Sequence, residues 1–280
     1  MFVYGSSSGD ATLTFATGFL NAGGIVLENN DATARNVTLF ITSGALTNTP
    51  GSLLESVLGT GGGNRTLAAA LNNQGGVLVQ QTLTIDRDSA SYSNTGQIML
   101  SGGDLDVVLS GFRPGFSNGS PGVIDVGTNK LAITNLSSGT FNNQAGGTLE
   151  GSGTIDIGTS SFITNGIVTV GVASPAILTF TGPYLQGPSP SVLNVFLTSP
   201  TTPGVGFSQF QVSDNVTLQG GTLTATLTPY VAGSYPIITV PVGKAISGDF
   251  TTKSLPTNPL NGGQCLGAVS GTQYVITCPP

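Results

Sequence analysis

The feature that most constrains this chain is a recurring corner: an asparagine, a turn containing glycine, then a short apolar run. It appears as Asn21-Ala-Gly-Gly-Ile-Val-Leu, Asn48-Thr-Pro-Gly-Ser-Leu-Leu, Asn73-Gln-Gly-Gly-Val-Leu-Val and Asn94-Thr-Gly-Gln-Ile-Met-Leu. It continues as Asn118-Gly-Ser-Pro-Gly-Val-Ile, Asn143-Gln-Ala-Gly-Gly-Thr-Leu and Asn165-Gly-Ile-Val-Thr-Val. Successive asparagines lie 27, 25, 21, 24, 25 and 22 residues apart. Between corners come short alternating runs such as Thr82-Leu83-Thr84-Ile85, Leu105-Asp106-Val107-Val108-Leu109 and Lys130-Leu131-Ala132-Ile133. Strands this short, turned by Gly, Asn and Ser on a long regular beat, fit the coils of a parallel β-solenoid. One coil cannot close a core alone. Stacking puts Leu, Ile and Val in inward columns and leaves Thr, Ser, Asn and Asp outside. The rival is an antiparallel sandwich or barrel, whose turns recur every 8–12 residues or so without a longer beat.

Composition agrees with strands and turns. Charged residues are 7% of the chain and glycine contributes 42 of 280 residues. Seven Lys and Arg against thirteen Asp and Glu give a net charge of −6, without the basic cluster that nucleic-acid phosphates require. No apolar run reaches the roughly 18 residues of a spanning helix, so membrane insertion is not expected. Residues 1–10 lack the basic start and apolar stretch of a signal peptide, so Met1 reads as the start of a mature or shortened chain.

Two stretches depart from the beat. Residues 50–70 hold Leu53-Leu54-Glu55-Ser56-Val57-Leu58, read as a short helical turn or a bulging loop, followed by the Gly-rich run from Gly59 to Arg65. Residues 110–122 read as a second protruding loop. Gly61, Asn64 and Arg65 in the first, and Phe112, Arg113 and Phe116 in the second, are candidate interaction residues. The Gly59–Arg65 run lacks the Gly-Lys-Ser/Thr ending of a phosphate loop and reads as a plain loop. Coils are expected over residues 1–182 and a β-rich capping region over 183–280, where strands lengthen and aromatics increase. Cys265 and Cys278 flank a hairpin around Ser270-Gly271-Thr272. An even pair in such a chain reads as a disulfide of an oxidising compartment, with two buried thiols as the alternative.

The order of motifs over residues 140–250 carries a resemblance. Gly147-Thr148-Leu149-Glu150-Gly151-Ser152-Gly153-Thr154-Ile155, Ile177-Leu178-Thr179-Phe180, Gly206-Phe207-Ser208-Gln209-Phe210-Gln211-Val212, Leu218-Gln219-Gly220-Gly221-Thr222-Leu223 and Gly248-Asp249-Phe250 follow one another. This region resembles autotransporter passenger domains and haemagglutinin-like adhesins. The resemblance implies a right-handed parallel β-helix ending in a stacked-strand cap and exposed outside a bacterial cell. The chain departs from that family in ending on a cysteine pair, with no outer-membrane barrel after it.

Chemistry is sparse. The absence of histidine excludes Ser-His-Asp and His-metal sites. Asp86, Asp88, Asp104, Asp106, Asp125, Glu150 and Asp156 fall in consecutive coils, with Arg87, Arg113 and Lys130 nearby. The bland reading is a solvated acidic face. The sharper ones are calcium held by Asp86, Asp88, Asp104 and Asp106, or a carboxylate pair that cleaves polysaccharide. Thr12-Leu-Thr14, Thr82-Leu-Thr84, Thr222-Leu-Thr224 and Thr226-Leu-Thr228 raise ice binding as a lesser reading. Sequons begin at Asn36, Asn64, Asn118, Asn135 and Asn215. The expected protein is an extracellular or cell-surface structural or adhesive β-solenoid without a cofactor. A host-surface or carbohydrate ligand and end-to-end self-association into a fibre are its expected partners. A polysaccharide lyase or hydrolase is the alternative.

Overall fold

A computed structural model of the chain describes residues 1–135 and 139–280. It is all-β, a parallel stack of about nine turns with no helix among the described residues. Each typical coil contributes three strands. The first strand of every coil joins one 11-stranded sheet that starts at Phe2–Gly5 and ends at Thr252–Ser254. The second and third strands form two further faces, bridged near the N-terminus by the continuous strands Val37–Asn48 and Arg65–Asn73.

Register makes the core. On the first face Ile25, Leu54, Val77, Ile98, Ile124, Leu149, Val168, Leu193 and Leu223 stack in one inward column, all essentially buried. Alternation then sends their neighbours outward. Each such side chain contributes about 1.5–3 kcal/mol by leaving water. Further along, aromatics fill the interior: Phe116 stacks on Phe141 at 5.2 Å between centroids and Phe141 lies 5.3 Å from Phe162.

The asparagine corners build a polar ladder inside this core. Nδ2 of Asn21 donates to Oδ1 of Asn48 at 2.7 Å, Asn48 to Asn73 at 2.8 Å, Asn73 to Asn94 at 2.7 Å, Asn94 to Asn118 at 2.7 Å and Asn118 to Asn143 at 2.9 Å. The second Nδ2 hydrogen of each reaches a backbone carbonyl one coil on, Leu53, Gly76, Gln97, Val123 and Thr148 in turn. Both amide hydrogens are therefore used, which is the condition for burying an amide without penalty. Asn143 donates to Oγ1 of Thr164 at 3.0 Å. Thr164, and not Asn165, takes the next inward place. The glycine in the corner has a steric cause: a Cβ on Gly96 would stand 2.1 Å from the Gly75 carbonyl oxygen of the neighbouring coil.

Residues 50–70 contain no helical turn. Leu53–Ser56 is a strand of the first face, and Arg65–Asn73 belongs to the other two. Parallel pairing continues past residue 183: Val192–Leu197 stacks on Ile167–Val170, and Thr222–Leu227 on Val192–Leu197. The pattern changes at the end, where Gln273–Cys278 pairs antiparallel with both Gly233–Thr239 and Leu266–Ser270. The Cys265–Cys278 disulfide ties this hairpin.

Candidate functional site

The acidic residues divide between two faces. Register on the second face aligns Thr84, Asp106, Ala132, Asp156 and Thr181 in one outward column. Leu105 and Leu131 are buried beside them, so Asp104, Asp106 and Lys130 point outward as alternation requires. Asp106, Lys130, Ala132, Asp156 and Thr159 line a groove of about 400 Å³. Lys130 Nζ lies 3.4 Å from Asp156 Oδ2. Asp156 Oδ1 accepts the Gly158 amide, and Asp104 Oδ1 accepts the Lys130 amide at 2.8 Å. Burial pushes the Asp106 carboxyl above its ordinary range; Lys130 opposes that shift, and Asp104 and Asp156 add to it. One strand separates Asp106 from Asp156, which sets their backbones about 10 Å apart. Ala132 between them is small and leaves the floor open.

Asp125 and Glu150 stand directly opposite each other on the first face. Asp125 accepts the Gly127 amide at 2.8 Å. Burial raises the Glu150 carboxyl and the facing Asp125 adds to that. Asp125 also borders a wider depression of about 750 Å³ between the loops at Gly171–Ile177 and Pro203–Val205. Asp86 and Asp88 are exposed and stay outside both groups. Arg87 instead lies over the Phe40 ring, 5.5 Å from its centroid, and donates to the Thr42 carbonyl. Among the described residues no three His, Cys, Asp or Glu side chains gather where they could hold a metal ion.

The candidate interaction residues sort by burial. Phe112 is 76% exposed and Arg113 stacks on it at 5.2 Å, so the tip of the 110–122 loop does protrude. Phe116 does not: it is a core residue of the strand Gly115–Asn118. Arg65 is wholly buried. Its inward place lies between Val37 and Leu83, and its guanidinium donates to the carbonyls of Val57, Leu58, Arg35, Gly62 and Gly63. Arg65 therefore fixes the loop around Gly61 from within, while Asn64 remains exposed. A Cβ on Gly61 would meet the Asp31 carbonyl at 2.3 Å.

Thr12, Thr38, Thr66 and Thr84 share one outward column, which the sequence pairs Thr12-Leu-Thr14 and Thr82-Leu-Thr84 only half reveal. Thr222 and Thr224 lie on the first face instead. Asn118 is buried in the ladder and is no glycan acceptor. The sequon at Asn135-Leu136-Ser137 runs into residues outside those described. No known protein-family model matches this chain, and no curated protein is similar to it.

Proposed function

We propose that this chain is a non-enzymatic structural or adhesive β-solenoid of an extracellular surface, displayed in the manner of autotransporter passengers and haemagglutinin-like adhesins. The observation that supports it is the unbroken parallel stack of about nine turns. Its inner columns are mostly apolar and the amides of its asparagine ladder are hydrogen-bonded, while its sides offer long, weakly charged polar ladders to another surface. The disulfide fits an oxidising compartment outside the cytoplasm. Fluorescently labelled protein is expected to bind bacterial or epithelial cells or an arrayed glycan saturably, without consuming what it binds. Absence of saturable binding, together with easy proteolysis of the stack, contradicts the proposal.

A second reading rests on one observation: Asp106 and Asp156 share a groove with Lys130. In a polysaccharide-cleaving enzyme Asp106, with its raised carboxyl, would protonate the leaving oxygen. Asp156 would activate water from across Ala132, in the wide carboxylate spacing of inverting hydrolases. New reducing ends released from a panel of plant and bacterial polysaccharides, lost in Asp106→Asn and in Asp156→Asn, would establish that reading. No release by the unaltered chain, with cell or glycan binding retained in both variants, removes it.

A further inference from the structure

The tip of one loop and a depression on another corner of the stack complement each other. The tip lies between the strands Leu105–Leu109 and Gly115–Asn118, at the corner where the second face meets the third. Phe112 is 76% exposed there, and the Arg113 guanidinium lies 5.2 Å from the centre of its ring. Arg113 makes no ion pair among the described residues. Every other lysine and arginine is paired with a carboxylate or donates to backbone carbonyls. Arg113 also holds its φ at 53°, in the left-handed region that a non-glycine residue enters at a cost of about 1 kcal/mol or more. The fold thus presents an aromatic ring and a cation to water on a strained backbone.

The depression is the one of about 750 Å³ at the corner where the first face meets the second. Gly127, Gly151 and Gly171 line it without side chains, while Val172, Ala173, Pro175, Pro203 and Val205 give it aliphatic walls. Val172 is 57% exposed and Val205 75%. Asp125 is the one charged residue that lines it. Glu150 stands directly opposite Asp125 on the next strand, and neither carboxylate has an ion pair among the described residues. Like charges so placed destabilise a sheet, and a cation brought to them from outside relieves that. Aliphatic walls beside carboxylates suit an apolar group that carries a positive charge. A sugar needs more converging donors and acceptors than these walls supply.

We propose that this depression is a self-association site and that its occupant is the Phe112–Arg113 tip of a second copy, with the ring against Val172 and Val205 and the guanidinium beside Asp125 and Glu150. The proposal deepens the structural reading above and rests on it. The tip cannot fill the depression of its own chain. The two stand on opposite sides of the second face, which Lys130–Asn135 crosses in six residues, or about 17 Å. Phe112, Val172 and Val205 leave water together in the contact. A guanidinium is weakly hydrated and presents a fork of donors to carboxylates, so it suits the facing pair. The contact uses the sides of the stack and neither end. It joins two different patches, so a copy that inserts its tip still offers an open depression, and association continues from copy to copy.

Sedimentation velocity and light scattering up to about 100 µM, where even a micromolar contact is saturated, test it. The mean mass is expected to rise with concentration past that of a dimer. Arg113→Glu at the tip and Val205→Arg at the wall, both at exposed positions, are each expected to weaken association by about tenfold or more with an unchanged far-UV spectrum. Val242→Arg, at a position 98% exposed elsewhere on the surface, is expected to leave association unchanged. Mixing the two variants decides which patches meet. The Arg113→Glu chain keeps its depression and the Val205→Arg chain keeps its tip. At a concentration where each alone is monomeric, the equimolar mixture is expected to form a heterodimer that stops at two. A parent that is monomeric at every concentration, association indifferent to either substitution, or a mixture that stays monomeric overturns the proposal. Saturable binding of a synthetic peptide with adjacent phenylalanine and arginine to a monomeric parent also overturns it, since the occupant is then another protein. Saturable cell or glycan binding by a strictly monomeric chain overturns this proposal alone and leaves the structural reading standing.

Discussion

Asn94 sits in the middle of the asparagine ladder and shows what the ladder is worth. It accepts from Asn73 at 2.7 Å, donates to Asn118 at 2.7 Å and donates to the Val123 carbonyl at 3.2 Å. Asn94→Ala leaves an Asn73 N–H, the Asn118 Oδ1 and the Val123 carbonyl without those bonds in a site closed to water. At about 1 kcal/mol or somewhat more for each orphaned group, the loss is about 3–5 kcal/mol. Asn21 has no asparagine before it in the ladder and is slightly exposed, so Asn21→Ala is expected to cost only about 2 kcal/mol. Asn94→Asp keeps the shape and changes the chemistry. The carboxylate faces the Asn118 and Val123 oxygens in a dry site, which holds its folded-state pKa above the ordinary value near 4. A raised pKa means that the folded chain keeps a proton that the unfolded chain has released. The deficit of this variant is therefore smallest below about pH 4 and widens as pH rises towards the folded-state value. Urea unfolding followed by circular dichroism between pH 3 and pH 8 reads both effects, with hydrogen exchange at Val123 as a local check. An alanine variant within about 0.5 kcal/mol of the parent, or an aspartate variant whose deficit ignores pH, would refute the idea that the buried amides hold the coils together.

Arg65→Met, which frees the carbonyls around the Val57–Gly63 loop, is expected to cost about 3 kcal/mol and to open that loop to limited proteolysis. Tyr184 donates to Oε1 of Gln186, whose buried Nε2 has no hydrogen-bond partner among the described residues. Tyr184→Phe combined with Gln186→Leu is expected to raise stability by about 1–2 kcal/mol, and Gln186→Leu alone by less because it strands the tyrosine hydroxyl. Glu150→Gln removes one charge of a facing pair. The Glu150 pKa is raised in the folded chain, so the unfavourable contribution exists above the ordinary glutamate range and vanishes below it. The variant is expected to gain less than about 1 kcal/mol at neutral pH, after solvent screening, and nothing near pH 3. Replacing both Cys265 and Cys278 by serine releases a hairpin closed over a separation of 13 residues and is expected to cost about 3 kcal/mol in thermal or urea unfolding.

The asparagine corners were legible because burying an amide demands the same residue coil after coil, and that demand leaves a periodic trace. Thr164 escaped because a hydroxyl also accepts the bond from Asn143, so the inward place shifts to the residue before Asn165. Leu53-Leu54-Glu55-Ser56-Val57-Leu58 suggested a helical turn through its clustered apolar residues. In the fold, Leu54 and Ser56 face inward while Leu53 faces out, which is strand alternation with one small polar residue inside. Arg65 and Phe116 passed for loop residues because glycines flank them. Which of two alternating positions turns inward is decided by register with the neighbouring coil. The acidic residues misled for a related reason. Coil membership can be counted along the chain, but the side of the coil cannot, so Asp125 and Glu150 separate from Asp106 and Asp156. Lys253 gave no signal at all, since a lysine on a core column is recognisable only once Leu223 is known to lie beneath it.

The parallel stack is tested most directly by distance along one outward column. Thr38, Thr66, Thr84, Asp106, Ala132, Asp156 and Thr181 follow one another strand by strand. Pairs of spin labels measured by pulsed electron resonance report how far apart these positions lie. With one strand spacing per step, Thr38 and Asp156 are expected about 24 Å apart and Thr38 and Thr181 about 29 Å. Distances that rise by one spacing per coil are the result that the stack predicts. Distances that fail to grow with the number of coils, as in a folded-back antiparallel sandwich, contradict it.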